Sequence, residues 1–337
     1  MTMNSIKSHL STLDSLLTEV EADKGKYIQP ALRNLGAVSI VLVREIVAPT
    51  VFKNSDAENT DIDVQTSKGL IQAVRAVPNK FKHRERGRGL QILRDLNVGG
   101  AYPQNKASVG KKAPLKDVFD LNSFVFGDSV LRDGSVLPCK AATMYSDGIS
   151  TADYVASVGK TFHNRAYEDG SLFDALAKKN SSNIFDRHFI LPGTLFVQTI
   201  STVGKVMTPE ALDHLLLSIG FGGSYGGQTS ISGVNVRTHV AGIYGGKVER
   251  PETSPYLLAS ELLVQDRRQT AEEVIDHVAS KLAPLHASSV DAAEARAYIE
   301  DLSARLEGND EALVKQYRAA ADKVGELYEQ WFEGKAQ

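Results

Sequence analysis

The sequence predicts an α+β protein, on three observations. Compact β-branched runs, above all SIVLVREIV at 39–47 and the alternating VNVRTHVAGI at 234–243, lie in the first three quarters of the chain. One strongly amphipathic helix falls among them, TPEALDHLLLSIG at 208–220. Past Pro255, segments around 257–265, 270–282, 290–307 and 310–333 are rich in Ala, Leu and Glu at helical spacing. Strands mixed with few helices thus give way to a run of helices.

In order, Ile6, Leu10, Leu13, Leu16, Leu17 and Val20 predict a leading helix. SIVLVREIV is the best strand of the first half, and the polar NSDAENTDIDVQTSKG after it reads as an exposed loop. Leu90, Leu93 and Leu96 predict a short helix over 85–98. The stretch 99–120 is rich in Gly, Pro and Lys and reads as an excursion, with Lys106, Lys111 and Lys112 available to a nucleic-acid backbone. NSFVFGDS (122–129) and LPCKAATMYSD (137–147) read as strands joined by LRDGS. A polar stretch with scattered aromatics, 160–187, reads as an insertion, and HFILPGTLFVQTISTV (188–203) as a strand pair or bent strand. In the amphipathic helix Thr208 is the N-cap, Pro209 suits the first position, and Gly220 ends it. In the strand that follows, Arg237 and His239 point outward. Three parts result: an N-terminal helix within 1–30, a body over 31–265 with insertions at about 99–120 and 151–187, and a helical part over 266–337.

Composition narrows the function. The 337 residues are 42% hydrophobic and 23% charged, enough for a sizeable core. No apolar run approaches the roughly 20 residues that span a bilayer, and MTMNSIKSHLSTLDSLL lacks the apolar core of a signal peptide. Cys139 is the only cysteine, which excludes an internal disulfide and a Cys-rich zinc site and fits a cytoplasmic protein. The net charge of -3 hides a gradient: 18 basic against 13 acidic residues in 1–120, 10 against 10 in 121–248, and 10 against 18 in 249–337. The first part suits a polyanion and the last does not.

The loop FGGSYGGQTSISG (221–233) bears on four readings. A phosphate loop needs a lysine and a following helix, and this loop has neither. Gly222-Gly223-Ser224-Tyr225-Gly226 formally matches G-x-S-x-G, but the helix precedes it, whereas a hydrolase elbow needs the helix after. Glycines without Cβ atoms suit close approach of a sugar–phosphate chain, with Ser224, Gln228, Thr229 and Ser230 as donors and Tyr225 for stacking. A bare connection fits the loop equally well. The stretch RAVPNKFKHRERGRG (75–89) adds Arg75, Lys80, Lys82, Arg84, Arg86 and Arg88 against one Glu85, with Phe81 and His83 interleaved. Such a run grips phosphates without reading bases, or it is simply a solvated charge run.

Five pieces carry a resemblance in their order: VLVREIVAPTVFK, KFKHRERGRGLQILRDL, FVFGDS, YEDGSLF, and MTPEALDHLLLSIGFGGSYGGQTSISGVNVRTHVAGIYGG. Over roughly 25–265 the chain resembles the backbone subunits of type I-D CRISPR effector complexes, a branch of the Cas-seven family called Csc-two-like. The resemblance implies a modified RNA-recognition-motif (ferredoxin-like) palm with inserted fingers and thumb, and extra C-terminal helices. It implies several copies lining up on a guide crRNA beside other Cascade subunits, in antiviral defence. Target DNA is then met through the guide, with no membrane involved. The thumb is expected in 151–187, and the acidic C-terminal helices are expected to face away from RNA. Residue types suited to gripping any guide are Arg44, Lys53, Arg75, Lys80, Lys82, Arg84, Arg86, Arg88, Ser224, Tyr225, Gly226, Gly227, Gln228, Thr229 and Arg237.

Catalysis is not expected, nor any cofactor or bound metal. Some relatives cut RNA with an aspartate after the first strand, and Asp56, Asp61 and Asp63 occupy that region. Such acids hold Mg²⁺ in a nuclease, and they also populate any exposed turn. A metal-dependent single-strand nuclease and a stand-alone RNA-binding protein are the alternatives.

Overall fold

The computed structural model describes residues 3–18, 34–52, 60–102, 113–132, 135–164, 173–174, 178–180, 184–202, 204–220, 222–226, 233–265 and 267–333. Its centre is the strand Ala37–Ile46, whose run of Val, Ile and Leu suits a strand covered on both faces. It pairs antiparallel with Leu195–Ser201 on one side and Val236–Gly246 on the other. Across the sheet the order is Gly222–Gly223, Val236–Gly246, Ala37–Ile46, Leu195–Ser201, Gly148–Asp153, Gly69–Ala76 and Asp61–Thr66. Ser288–Asp291 adds to Val236–Gly246, and Met144–Tyr145 to Leu195–Ser201.

The chain's path gives this order a simple logic. The strand Ala37–Ile46 leads, past an inserted hairpin, to the helix Asn79–Asp95 and then to the strand Gly148–Asp153. The strand Leu195–Ser201 leads to the helix Pro209–Ile219 and the strand Val236–Gly246. The third of these four strands lies between the first two, and the last lies outside the first: a β-α-β-β-α-β unit.

Both faces are covered. Val38, Ile40 and Leu42 share a core with Ile92 and Leu93 of the first helix, Leu212, Leu215 and Leu216 of the second, and the C-terminal Leu313, Tyr317, Val324 and Tyr328. Val41 and Val43 pack under Leu258, Leu262, Val274, Val278 and Leu282. The helices Pro255–Leu262, Ala271–Leu282, Ala292–Glu307 and Glu311–Glu333 follow the expected spans closely. They form integral walls of the fold, each buried branched side chain worth about 1.5–3 kcal/mol. The N-terminal residues Ile6, Leu13 and Leu16 enter the same core. No helix among the described residues is long and apolar enough to cross a membrane.

Several elements differ from the sequence reading. The leading helix is two, Met3–Lys7 and Leu13–Thr18. The polar loop after the first strand ends in the edge strand Asp61–Thr66, with Asp61, Asp63 and Gln65 exposed and Val64 and Thr66 buried. Segment 122–129 opens as the helix Leu121–Phe126, capped by Asp120 accepting from the Ser123 N–H at 2.9 Å. Every residue of that helix is buried, and burial all round erases the period that tells helix from strand. LPCKAATMYSD divides between Ser135–Cys139, hairpinned to Asp128–Arg132, and Met144–Tyr145 in the main sheet. The insertion is a hairpin arm in which Val158–Asn164 pairs with Ile184–Ile190, the latter followed by the separate strand Leu195–Ser201. Lys106, Lys111 and Lys112 lie outside the described residues, whereas Val118 and Phe119 at the end of that excursion are core.

Candidate nucleic-acid interface

The basic stretch is structured. Its helix starts at Asn79, six residues before the expected start, so Lys80, Lys82, His83, Arg84, Arg86 and Arg88 occupy its first turns. Phe81, Glu85, Gly89, Ile92 and Leu93 turn inward. Gly89 is required by close packing: a Cβ there would overlap Asn122 Oδ1 and His214 Nε2. His214, fully buried, meets Tyr317 Oη at 3.3 Å and Asn122 Oδ1 at 3.2 Å. Burial lowers its pKa to about 4.

The lone acid of the run is the anchor. Glu85 is 1% exposed, 2.6 Å from Arg44 Nη1, and accepts from the Tyr145 hydroxyl at 2.6 Å and the Tyr225 hydroxyl at 3.1 Å. Arg44 itself is fully buried, donates to Gln198 Oε1 at 2.9 Å and Thr238 Oγ1 at 3.0 Å, and lies 4.8 Å from the Phe81 ring centroid. A buried guanidinium is tolerable only with such a full set of partners. Burial pushes the Tyr145 and Tyr225 hydroxyls well up, and the Glu85 carboxylate adds to this, so both remain donors.

Two expectations are corrected here. Arg44 is a core residue and meets no ligand, because its charge is consumed by Glu85, Gln198 and Thr238. Tyr225, 1% exposed, offers no stacking face: its ring packs 5.8 Å from Phe81, while its N–H donates to Asn235 Oδ1 at 2.8 Å. Phe81 is likewise fully buried, in edge contact with Phe52.

The described glycines of the loop have an internal purpose as well. Arg88 donates to the carbonyls of Ile219 at 2.9 Å and Gly222 at 2.5 Å, riveting the end of the helix Pro209–Ile219 to the basic helix. A Cβ on Gly220 or Gly223 would meet this guanidinium at 2.7 or 2.6 Å, and Gly220 has φ +53°. Arg88 is therefore mainly a structural clamp, since both of those donors are taken by carbonyls.

Together these contacts bring the basic helix and the described part of the loop onto one trough. A cavity of about 460 Å³ is lined by Asn79, Lys80, Lys82, His83, Arg84, Arg86, Phe126 and Gly226. A second, of about 230 Å³, adds Gly87, Arg88, Gln91, Gly223, Ser224 and Tyr225 and shares His83 and Arg84 with the first. Arg86 is held by Asp128 at 2.8 Å. Lys82 and Arg84 form no ion pair among the described residues, and Lys82 Nζ sits 5.9 Å from the Tyr145 ring centroid. Burial lowers the ammonium pKa of Lys80 and Lys82, and Arg86 lowers that of Lys82 further. An anion in the trough would relieve this crowding of positive charge.

Other expected site residues lie apart. Arg75 pairs with Asp147 at 3.0 Å and lines a separate cavity with Tyr256 and Thr199. Arg237 points outward as expected, yet reaches Glu45 at 3.3 Å and lines a cleft with Glu272 and Asp276. Asp61 and Asp63 sit on the edge strand at the opposite end of the sheet from Gly222–Gly223, with Asp61 Oδ2 accepting from Gln72 Nε2 at 2.5 Å. No cluster of His, Cys, Asp or Glu fit to hold a metal occurs among the described residues. Lys53, Asp56, Gly227, Gln228 and Thr229 lie outside them. The sequence reading missed Asn79, His83 and Gln91 as trough residues. Starting the helix at Asn79 puts His83, Arg84, Gly87, Arg88 and Gln91 on one side by the 3.6 period.

The Csc2 CRISPR family profile matches residues 27–329. No curated protein matches the chain. The crystal structure of Thermofilum pendens Csc2 superposes with a TM-score of 0.65 at 18% identity, covering 98% of this chain and 96% of that one. A chain of a CRISPR RNA-guided surveillance complex gives 0.45 at 11% identity over 80% of this chain and 99% of its own. Another, from such a complex described as pre-nicking, gives 0.48 at 7% over 81% and 99%.

Proposed function

Because the chain belongs to the Csc2 CRISPR family, we propose that it is a non-catalytic subunit that grips guide crRNA in a type I-D CRISPR effector complex. Several copies line up along one guide with the other subunits, and the guide, not the protein, pairs with target DNA. The observation that carries this reading is the trough itself. Lys80, Lys82, His83 and Arg84 face the backbone of Gly223, Ser224 and Gly226 across a strip rich in cations and, among its described residues, without an exposed Phe, Tyr or Trp. Such a surface holds phosphates and ribose without reading bases, as any subunit serving many guides must.

The β-α-β-β-α-β order supports an RNA-recognition-type palm. Its sheet is covered on both faces, so RNA runs beside the helix and not over the strands. The arm built from Val158–Asn164 and Ile184–Ile190 is the thumb of this reading.

Charge reversal at Lys80, Lys82 and Arg84 tests it, leaving Arg86 on Asp128 and Arg88 on its carbonyls. Binding of single-stranded RNA should weaken for every sequence tried, and the slope of log K against log salt should fall by about 0.7 for each phosphate no longer neutralised. Unchanged affinity and slope would remove the trough from the RNA path.

A further inference from the structure

The edge strand Val236–Gly246 has an interruption in its outer pairing. Gly222–Gly223 pairs with it at Arg237 and Val236, and Ser288–Asp291 pairs from Gly242 to Gly245. Between them, 238–241 have no partner strand on the outer edge among the described residues. This open edge floors a cleft of about 530 Å³. One wall is the face of the helix Ala271–Leu282 bearing Glu272, Ile275 and Asp276, and the other is the face of Ala292–Glu307 bearing Ala292, Arg296, Ile299 and Glu300.

The charges in the cleft are unevenly consumed. Arg237 and His239 both go to Glu45, at 3.3 and 3.0 Å, and Arg296 goes to Glu300 at 2.9 Å. Glu272 and Asp276 form no ion pair among the described residues. A strand edge supplies main-chain hydrogen bonds to an extended peptide, while pockets along it select alternate side chains. Here the pockets are apolar at Ile275, Ile299 and Ala292 and acidic at Glu272 and Asp276.

We propose that this cleft is a docking slot for an extended peptide segment of a partner protein, three to four residues long, in which a basic side chain alternates with a branched apolar one. The segment fills the outer edge between Gly222–Gly223 and Ser288–Asp291 by strand addition. Its lysine or arginine turns to Glu272 and Asp276 on one wall, and its apolar side chain, on the other face of the strand, turns to Ala292 and Ile299 on the opposite wall. This slot is separate from the basic trough and needs no nucleic acid.

The test is fluorescence anisotropy of the full chain with a labelled, acetylated Val-Lys-Val-Lys-Val peptide, alongside the Val-Glu-Val-Glu-Val counterpart. The lysine peptide should bind, the glutamate peptide should not, and the doubly substituted Glu272→Lys/Asp276→Lys chain should lose about tenfold or more in affinity. Because both positions are on helix surfaces, a melting curve checks that the variant folds. Amide hydrogen exchange on the parent chain should slow within 238–241 when the lysine peptide is present. Equal binding of both peptides, an unaltered variant, or unprotected amides at 238–241 would overturn the proposal. So would self-association of the chain, or RNA binding, abolished by the same two substitutions.

Discussion

At the scale of single residues, Glu85 ties three elements to the basic helix through Arg44, Tyr145 and Tyr225. Glu85→Gln leaves the Arg44 guanidinium buried without its counter-charge, which costs about 3–5 kcal/mol. Urea unfolding should show that loss, and the double variant Arg44→Met/Glu85→Leu should lose far less than the sum of the single changes. Additive losses would mean that the two groups act independently. His214 makes a second prediction. Its pKa is held at about 4 when folded, against 6.5 in a free side chain, so between these values the unfolded chain binds the extra proton. The contribution is complete above pH 6.5 and is lost as pH falls toward 4, by up to about 3 kcal/mol at the low end. His214→Asn should flatten the fall of the urea midpoint across that window. A slope unchanged by the substitution would place the titration elsewhere.

At the scale of elements, Arg88 joins the basic helix to the end of Pro209–Ile219 and the start of the glycine loop. Arg88→Ala removes two charge-assisted hydrogen bonds, each worth about 1.5–3 kcal/mol. Amide exchange should therefore quicken at 222–226 while the core strand Ala37–Ile46 stays protected; quickening at both would make the clamp global. Elements with an open face were the most legible in the sequence. Thr208, Pro209 and Gly220 bound the helix as expected, with Thr208 accepting from the Ala211 N–H. The strand bearing Arg237 and His239 keeps the predicted alternation over 236–240 only: before it Val234 is exposed and Asn235 fully buried, and 240–245 is buried without a break. Leu121–Phe126, buried on every side, reads as a strand, because full burial leaves no period. The basic run also fits a solvated charge run in the sequence because its inward residues, Phe81 and Glu85, are an aromatic and an acid whose burial depends on Arg44, far away in sequence.

At the scale of the whole molecule, the charge gradient along the sequence becomes a division of surfaces. Five cations of the first part, Lys80, Lys82, Arg84, Arg86 and Arg88, gather on one trough, and the acidic C-terminal helices wall both faces of the sheet. The sequence grouped Arg44, Arg75 and Arg237 with that trough by residue type alone. In the fold they have partners of their own, because a guanidinium fits an internal ion pair as well as a phosphate. The family was legible in the order of motifs and the basic side of the trough in its charge run, whereas the cleft between the helices Ala271–Leu282 and Ala292–Glu307 exists only through tertiary pairing.

The most direct measurement of the central claim is zero-length photo-crosslinking of the chain to a 4-thiouridine guide, with the linked peptides mapped by mass spectrometry. Crosslinks should concentrate in 79–91 and 222–226 and vanish when Lys80, Lys82 and Arg84 are reversed in charge. Crosslinks that fall instead along 292–333, or that persist in the reversed variant, would contradict the account.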